Sequence, residues 1–208
     1  MIHALRALLP LILASLLGAC SLLPKAQPID TYLLPPSTLA NKASGVALTR
    51  TLSIARPQTS QALDSTRIAV LPEGNRISSY KGARWADPAP SLLRDRLLAV
   101  LRSDGRFPAL VSDEQHLHSD LELLGNLLSF QSEYQDGQPH AVIRLDAQLV
   151  DSNSRRILAS RRFEVSQRSS DTQVAAQVAA FGSASDALAS ELIDWLLSAA
   201  PKAGQTAP

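Results

Sequence analysis

The sequence predicts an α+β fold, a mixed and mostly antiparallel sheet with two amphipathic helices packed on one face. Ala141, Ile143, Leu145, Ala147 and Leu149 alternate with Arg144, Asp146 and Gln148 between turn signals at Asp136-Gly137 and Ser152-Asn153-Ser154, which marks a hairpin-connected meander. Two other stretches repeat their apolar residues every three or four positions, and each such stripe needs an apolar partner. Elsewhere the apolar runs are short and punctuated by proline and glycine, which reads as further strands, five to seven in all.

Taken in order, residues 31–34 form a short first strand stopped by Pro35-Pro36, at a sheet edge. Residues 51–56 give a second strand ended by Pro57, and 61–64 one helical turn. Residues 67–71 are a short apolar run bounded by Pro72 and Gly74, the pattern of a buried strand, and 76–80 pair back on it. Asp87, followed by Pro88 and Pro90, is read as the cap of a helix reaching to about Ser103, with Leu93, Leu97, Val100 and Leu101 on one face and Arg94, Asp95 and Arg102 away from it. Gly105 stops this helix, and 107–111 return to the sheet. Residues 120–134 form a long strand whose apolar phase shifts near Gly125, the sign of a bulge. After the meander, Val174, Val178, Phe181, Leu188, Leu192 and Trp195 define a long helix over 171–199, with Ser185 in the missing place and a bend expected at Gly182-Ser183. Residues 200–208 read as a polar tail.

Composition narrows the function. Hydrophobic residues are 45% of the chain, ample for one core, and aromatic residues are 4%, too few for platforms that stack bases or sugars. The 20 Lys+Arg and 19 Asp+Glu nearly cancel, so no bulk field steers the protein toward nucleic acid.

Location is encoded at the N-terminus. His3 and Arg6 precede an apolar run over 7–17, two small residues, and Cys20, the single cysteine. The run falls well short of the roughly 20 apolar residues of a spanning helix, so residues 1–19 read as a cleaved secretory signal. Leu17-Gly18-Ala19-Cys20 resembles the lipobox of bacterial lipoproteins, which implies a diacylglyceryl group on the Cys20 thiol and an N-acyl chain on the new terminus. The alternative is an ordinary secretory signal with an unmodified Cys20, and a lone thiol in an oxidising compartment is a liability that lipidation removes. Ser21 follows in place of the aspartate that in lipoproteins favours inner-membrane retention, so the outer membrane is expected. Residues 20–28, with Pro24 and Pro28, form a tether, and the folded domain is expected over 29–199.

A search for chemistry finds little. His116 and His118 lie in a polar stretch without further ligands in sequence reach, so no metal is expected. No nucleophile elbow, phosphate-cradling glycine loop or zinc-protease pattern occurs, and no enzymatic activity is expected. The constellation of interest is 80–87, read as a loop, where Tyr80, Arg84 and Trp85 are residue types enriched in binding hot spots. Trp85 has a second reading, as a core residue that staples the entry of the following helix.

Tyr32-Leu33-Leu34, Leu63-Asp64-Ser65-Thr66-Arg67-Ile68-Ala69-Val70, Arg84-Trp85-Ala86-Asp87 and a terminal helix carrying Phe181 and Trp195 together resemble the ABC-type transport auxiliary lipoprotein family, including its PqiC-like branch. The resemblance spans essentially the whole mature domain. It implies an accessory of an MCE-type system that moves lipids between inner and outer membranes, with a periplasmic MCE-domain protein as partner, the outer membrane as anchor and no catalytic residues or cofactor. Self-association into a homo-oligomer is left open. Two other classes compete: an assembly or plug lipoprotein of another outer-membrane machine such as the lipopolysaccharide translocon, and a periplasmic hydrolase, which would need a deep cleft with a nucleophile and a base.

Overall fold

The computed structural model describes residues 28–39, 45 and 47–200. The signal, Cys20, the tether up to residue 27 and the tail from residue 201 lie outside the described residues. The chain runs β1 (Asp30–Tyr32), β2 (Leu52–Ile54), β3 (Gln58–Thr59), β4 (Arg67–Glu73), β5 (Arg76–Trp85), helix α1 (Ala89–Asp104), β6 (Leu110–Ser112), a 3-10 turn (Asp113–Gln115), β7 (Leu121–Gln135), β8 (Gln138–Asp151), β9 (Arg156–Arg168) and helix α2 (Val174–Ala199).

All nine strands belong to one sheet built around β7. One side of β7 pairs along its whole length with β8, antiparallel, and β8 pairs in turn with β9. The other side is shared by three short parallel partners: β2 opposite Leu121 to Leu123, β3 opposite Asn126 and Leu127, and β4 opposite Gln131 to Glu133. Two branches extend from there, β2 to β6 and β4 to β5 to β1. The two long antiparallel ladders hold most of the paired residues, as the α+β reading requires.

Local chemistry explains the joints. Asp136 and Gly137 both adopt positive φ, 51° and 73°, which closes the two-residue turn between β7 and β8. The bulge in β7 lies between Leu127 and Ser129 rather than at Gly125. Inward residues are Leu121, Leu123 and Leu127 before it and Phe130 and Ser132 after it, so the extra residue, Leu128, is pushed outward and is exposed.

Both helices lie against the inward face of the sheet, and Leu93, Leu97, Leu101, Phe181, Leu188 and Leu192 close a single core with the inward strand residues. Phe181 stacks on Phe130 at 4.8 Å, and Trp85 meets both rings edge-on. Phe163 packs against Trp195 at the other end. Helix α2 is continuous through Gly182. A Cβ at that position would stand 3.2 Å from the Pro35 ring, so glycine lets the segment after β1 lie on the helix.

The described residues form nine strands where five to seven were expected, because short strands such as β3 exist only through their pairing with β7. Local expectations also change. Asp87 does not cap α1: Pro88 occupies that position, its carbonyl accepts the Ser91 and Leu92 N–H groups, and Pro90 removes another donor that a cap would serve. Arg94, expected off the apolar stripe, is nevertheless buried, donating to Asp95, Asp113 and Glu114, because the 3-10 turn folds over it. Residues 80–85 are strand, not loop, because β1 supplies a parallel partner for 83–85.

The helices are also tied by a buried ion pair. Arg96 of α1 donates to Asp186 of α2 at 2.6 Å, with side-chain exposures of 5% and 9%. The second Asp186 oxygen accepts from the Thr38 N–H and hydroxyl. Burial alone would raise this carboxyl, but Thr38, Ser37 and Arg96 outweigh it and hold Asp186 below the usual carboxylate range. Removing one partner of such a pair costs about 3 to 5 kcal/mol, so Arg96→Met and Asp186→Asn should each lower stability by that order in urea unfolding. A carboxyl depressed in the folded state stabilises above its unfolded pKa of about 3.9 and loses that stabilisation as pH falls through the lower folded value. The stability lost on acidification below pH 4 should therefore be smaller in Asp186→Asn than in the wild type, and equal losses would refute this role.

Candidate functional site

Strand β5 carries the residues singled out by sequence, but it separates them. Because strand neighbours point to opposite faces, Trp85 enters the core, with none of its surface exposed, while Arg84 projects from the outer face. Trp85 therefore cannot touch a partner, and of its two readings the structure supports core packing. Tyr80 is half-buried and packs against the same core. Its hydroxyl and the Trp85 Nε1 are buried without a hydrogen-bond partner among the described residues. The inward Ser132 hydroxyl near Tyr80 donates instead to Gln177 Oε1 at 2.9 Å. Burial pushes the Tyr80 phenol up, partly opposed by Ser132. Arg84 alone of the three is exposed, and its Nε donates to the Thr31 hydroxyl of β1 at 3.0 Å.

Thr31 sits on the outermost strand of its branch, with the other edge of β1 unpaired among the described strands. Ile29 and Leu33 flank that strand and are 59% and 72% exposed, the largest apolar exposures near the point where the chain enters the domain. Sequence reasoning placed the strand at an edge but missed these two residues, since nothing in their neighbours tells an exposed leucine from a core one.

Elsewhere the described residues form open clefts. An open cleft of about 290 Å³ on the outer face is lined by Arg56, Gln58, Asn126, Asp146 and Gln148 with Leu124 and Gly125. Its acid, Asp146, is held in a two-bond grip by Arg162 at 2.6 and 2.7 Å, which keeps the carboxyl below its usual range. His116 and His118 are exposed, and no group of three metal-ligating side chains exists among the described residues. No helix there is long and apolar enough to cross a membrane.

This arrangement, a sheet wrapped on two helices with an exposed apolar entry edge, can now be set beside known proteins. Residues 32–192 match the family described as ABC-type transport auxiliary lipoprotein component. The chain belongs to that family. A Bradyrhizobium diazoefficiens relative, the uncharacterized protein bll6063, is 31% identical over 170 residues, which are 82% of this chain and 45% of that protein, so the chain spans less than half of that relative's length. The crystal structure of protein XCC0632 from Xanthomonas campestris is similar with a TM-score of 0.76 and 32% identity, over 82% of this chain and 95% of that one. A second crystal structure, of an uncharacterized protein, shares the fold with a TM-score of 0.65 and 19% identity, over 81% and 99% of the two chains. The family is one of auxiliary transport lipoproteins, not of enzymes.

The division of β5 into inner and outer residues is testable by stability. Trp85→Ala should cost about 3 to 5 kcal/mol, while Arg84→Ala should stay within about 0.5 kcal/mol of wild type. Tyr80→Phe removes a buried hydroxyl that gains nothing, so it should leave stability unchanged or raise it by up to about 1 to 3 kcal/mol. A clear loss in Tyr80→Phe, measured by denaturant unfolding, would mean that the hydroxyl has a partner.

Proposed function

We propose that this protein is a lipid-anchored accessory of an MCE-type ABC transport system, held by Cys20 in the outer membrane with its domain in the periplasm. There it docks the MCE-domain protein and aids lipid movement between the membranes. The observation that carries this reading is the family match over 32–192, joined to a lipobox-like Leu17-Gly18-Ala19-Cys20 upstream of it.

The anchor and the docking surface are linked by distance. Between Cys20 and Pro28 the chain can extend at most about 3.6 Å per residue, roughly 30 Å in total, so β1 and its flanks cannot leave the neighbourhood of the bilayer. Ile29, Leu33 and Arg84 on that edge are the residues assigned to the partner. Tyr80 and Trp85 support them from inside. No catalytic residue, metal or cofactor beyond the Cys20 lipid enters the reading.

Two measurements test it. Cys20→Ala should lose palmitate labelling and leave the outer-membrane fraction, and equal labelling of mutant and wild type would end the lipoprotein reading. Affinity capture of the wild type should retain an MCE-domain protein, and Ile29→Asp, Leu33→Asp or Arg84→Ala should weaken that capture at unchanged folded content. Retention of an outer-membrane barrel, without an MCE protein, would point instead to an accessory of another machine.

A further inference from the structure

The outer face of the sheet is electrically matched on one side and unmatched on the other. On β8 and β9, Arg144 lies between Glu133 at 2.6 Å and Glu164 at 2.8 Å, and Arg162 grips Asp146. On β4 and β5, Arg67 and Arg84 stand directly opposite each other in the ladder. The Trp85 N–H donates to the Thr66 carbonyl at 2.7 Å, which makes the Arg67–Arg84 rung a non-hydrogen-bonded pair, the kind in which facing side chains stand closest. Their neighbours Ile68 and Trp85 are fully buried on the helix side, so both arginines project outward together.

Like charges directly opposite on one face destabilise a sheet. Here no carboxylate of the described residues forms an ion pair with either arginine. Asp64, close in sequence, is committed to Arg56. Arg84 uses only its Nε, on Thr31, and the Arg67 guanidinium makes no hydrogen bond or ion pair with a described residue. Arg67 also forms one wall of a hollow of about 220 Å³, whose other walls include Ala69, Ile77, Ser78 and Ser79.

We propose that Arg67 and Arg84 form a binding site for a phosphate-type oxyanion at the mouth of this hollow. Two planar guanidinium forks with free N–H groups suit a tetrahedral anion, and charge-assisted bonds of this kind are the strong ones. A bound anion turns the repulsive rung into a bridged one. The Ser79 hydroxyl, opposite Ala69, supplies a further donor to its oxygens. Ile77, 44% exposed on the same hollow, offers an apolar edge, so the phosphate can belong either to a free ion or to a phospholipid headgroup. The site shares Arg84 with the docking reading, but Arg67 and the hollow have no part in that reading, so Arg67→Gln tests the anion site separately.

The full-length lipidated protein in nonionic detergent can be titrated with inorganic phosphate and, separately, with dihexanoyl phosphatidylglycerol below its micelle concentration, following thermal unfolding. The wild type should gain Tm with increasing ligand as mass action requires. Arg67→Gln and Arg84→Gln should weaken binding by about tenfold or more, as the loss of a charged hydrogen bond predicts, while the outer-face control Arg162→Gln should bind like wild type. Tighter binding of the short-chain lipid than of phosphate assigns the site to a lipid headgroup, and equal or weaker binding assigns it to the free ion. Without ligand, Arg67→Gln should melt at or above the wild-type temperature because a repulsion is gone. Absence of any wild-type shift, binding that survives both substitutions, or a clearly lower melting temperature of the unliganded Arg67→Gln protein would overturn the proposal.

Discussion

Strand β7 has a backbone N–H and C=O at each of its fifteen residues, lies in the middle of the sheet, and must pair those groups on both sides. On one side a single long strand, β8, does this through a two-residue turn, the least entropically costly connection available. On the other side no single strand is long enough, and β2, β3 and β4 divide the length among them. None of the three is stable alone, and each is parallel to β7, so each needs the chain to travel away and return. The two branches, the edge strand β1 and the seats of both helices follow from this shared edge.

The polar interior follows the same demand. Where three distant segments meet, at Arg96, Asp186 and Thr38, the chain uses a buried ion pair backed by backbone and hydroxyl donors rather than another leucine. Gly182 and Asp186 lie one helical turn apart on α2, and both receive the same segment, Pro35 by close approach and Thr38 by hydrogen bonds. At the start of that helix, Gln177 links Ser132 of β7 to the Asp171 carbonyl. Apolar packing gives this core its bulk, and these few polar contacts fix which way the helices face.

Legibility in the sequence divides along the same line between local and long-range causes. The meander, both helices, the Asp136-Gly137 turn and the edge position of β1 are written in periodicity and turn chemistry within short windows, and they are found as expected. The two-residue strand β3 was not legible, because it exists only through its pairing with β7. The burial of Arg94 was not legible, because a helical wheel cannot show the 3-10 turn that later covers it with acids. The 80–85 stretch looked like a loop for a related reason: its glycine and charges are real loop signals, overridden by β1 joining from fifty residues upstream. Of the candidate site, the inner role of Trp85 was half legible, while the Arg67–Arg84 rung was hidden, since the register that sets them opposite carries a bulge between Arg67 and Ala69 that no spacing rule predicts.

The quiet chemistry of the surface suits an anchored accessory. A free protein that must find its partner by diffusion generally needs an interface of about 1,600 Å², with a buried cluster of anchor residues. A domain tied to the membrane on a short tether meets its partner at a high effective concentration, so a small patch can suffice without a strong contact. The edge around β1, with Ile29 and Leu33 exposed beside Arg84, has that modest scale. β1 contributes three residues to the sheet, and of these only Tyr32 packs against the core. The long ladder between β7 and β8 lies away from that edge, while Thr38, six residues after β1, joins the Arg96–Asp186 pair and so fastens the entry segment to the helices behind the exposed strand.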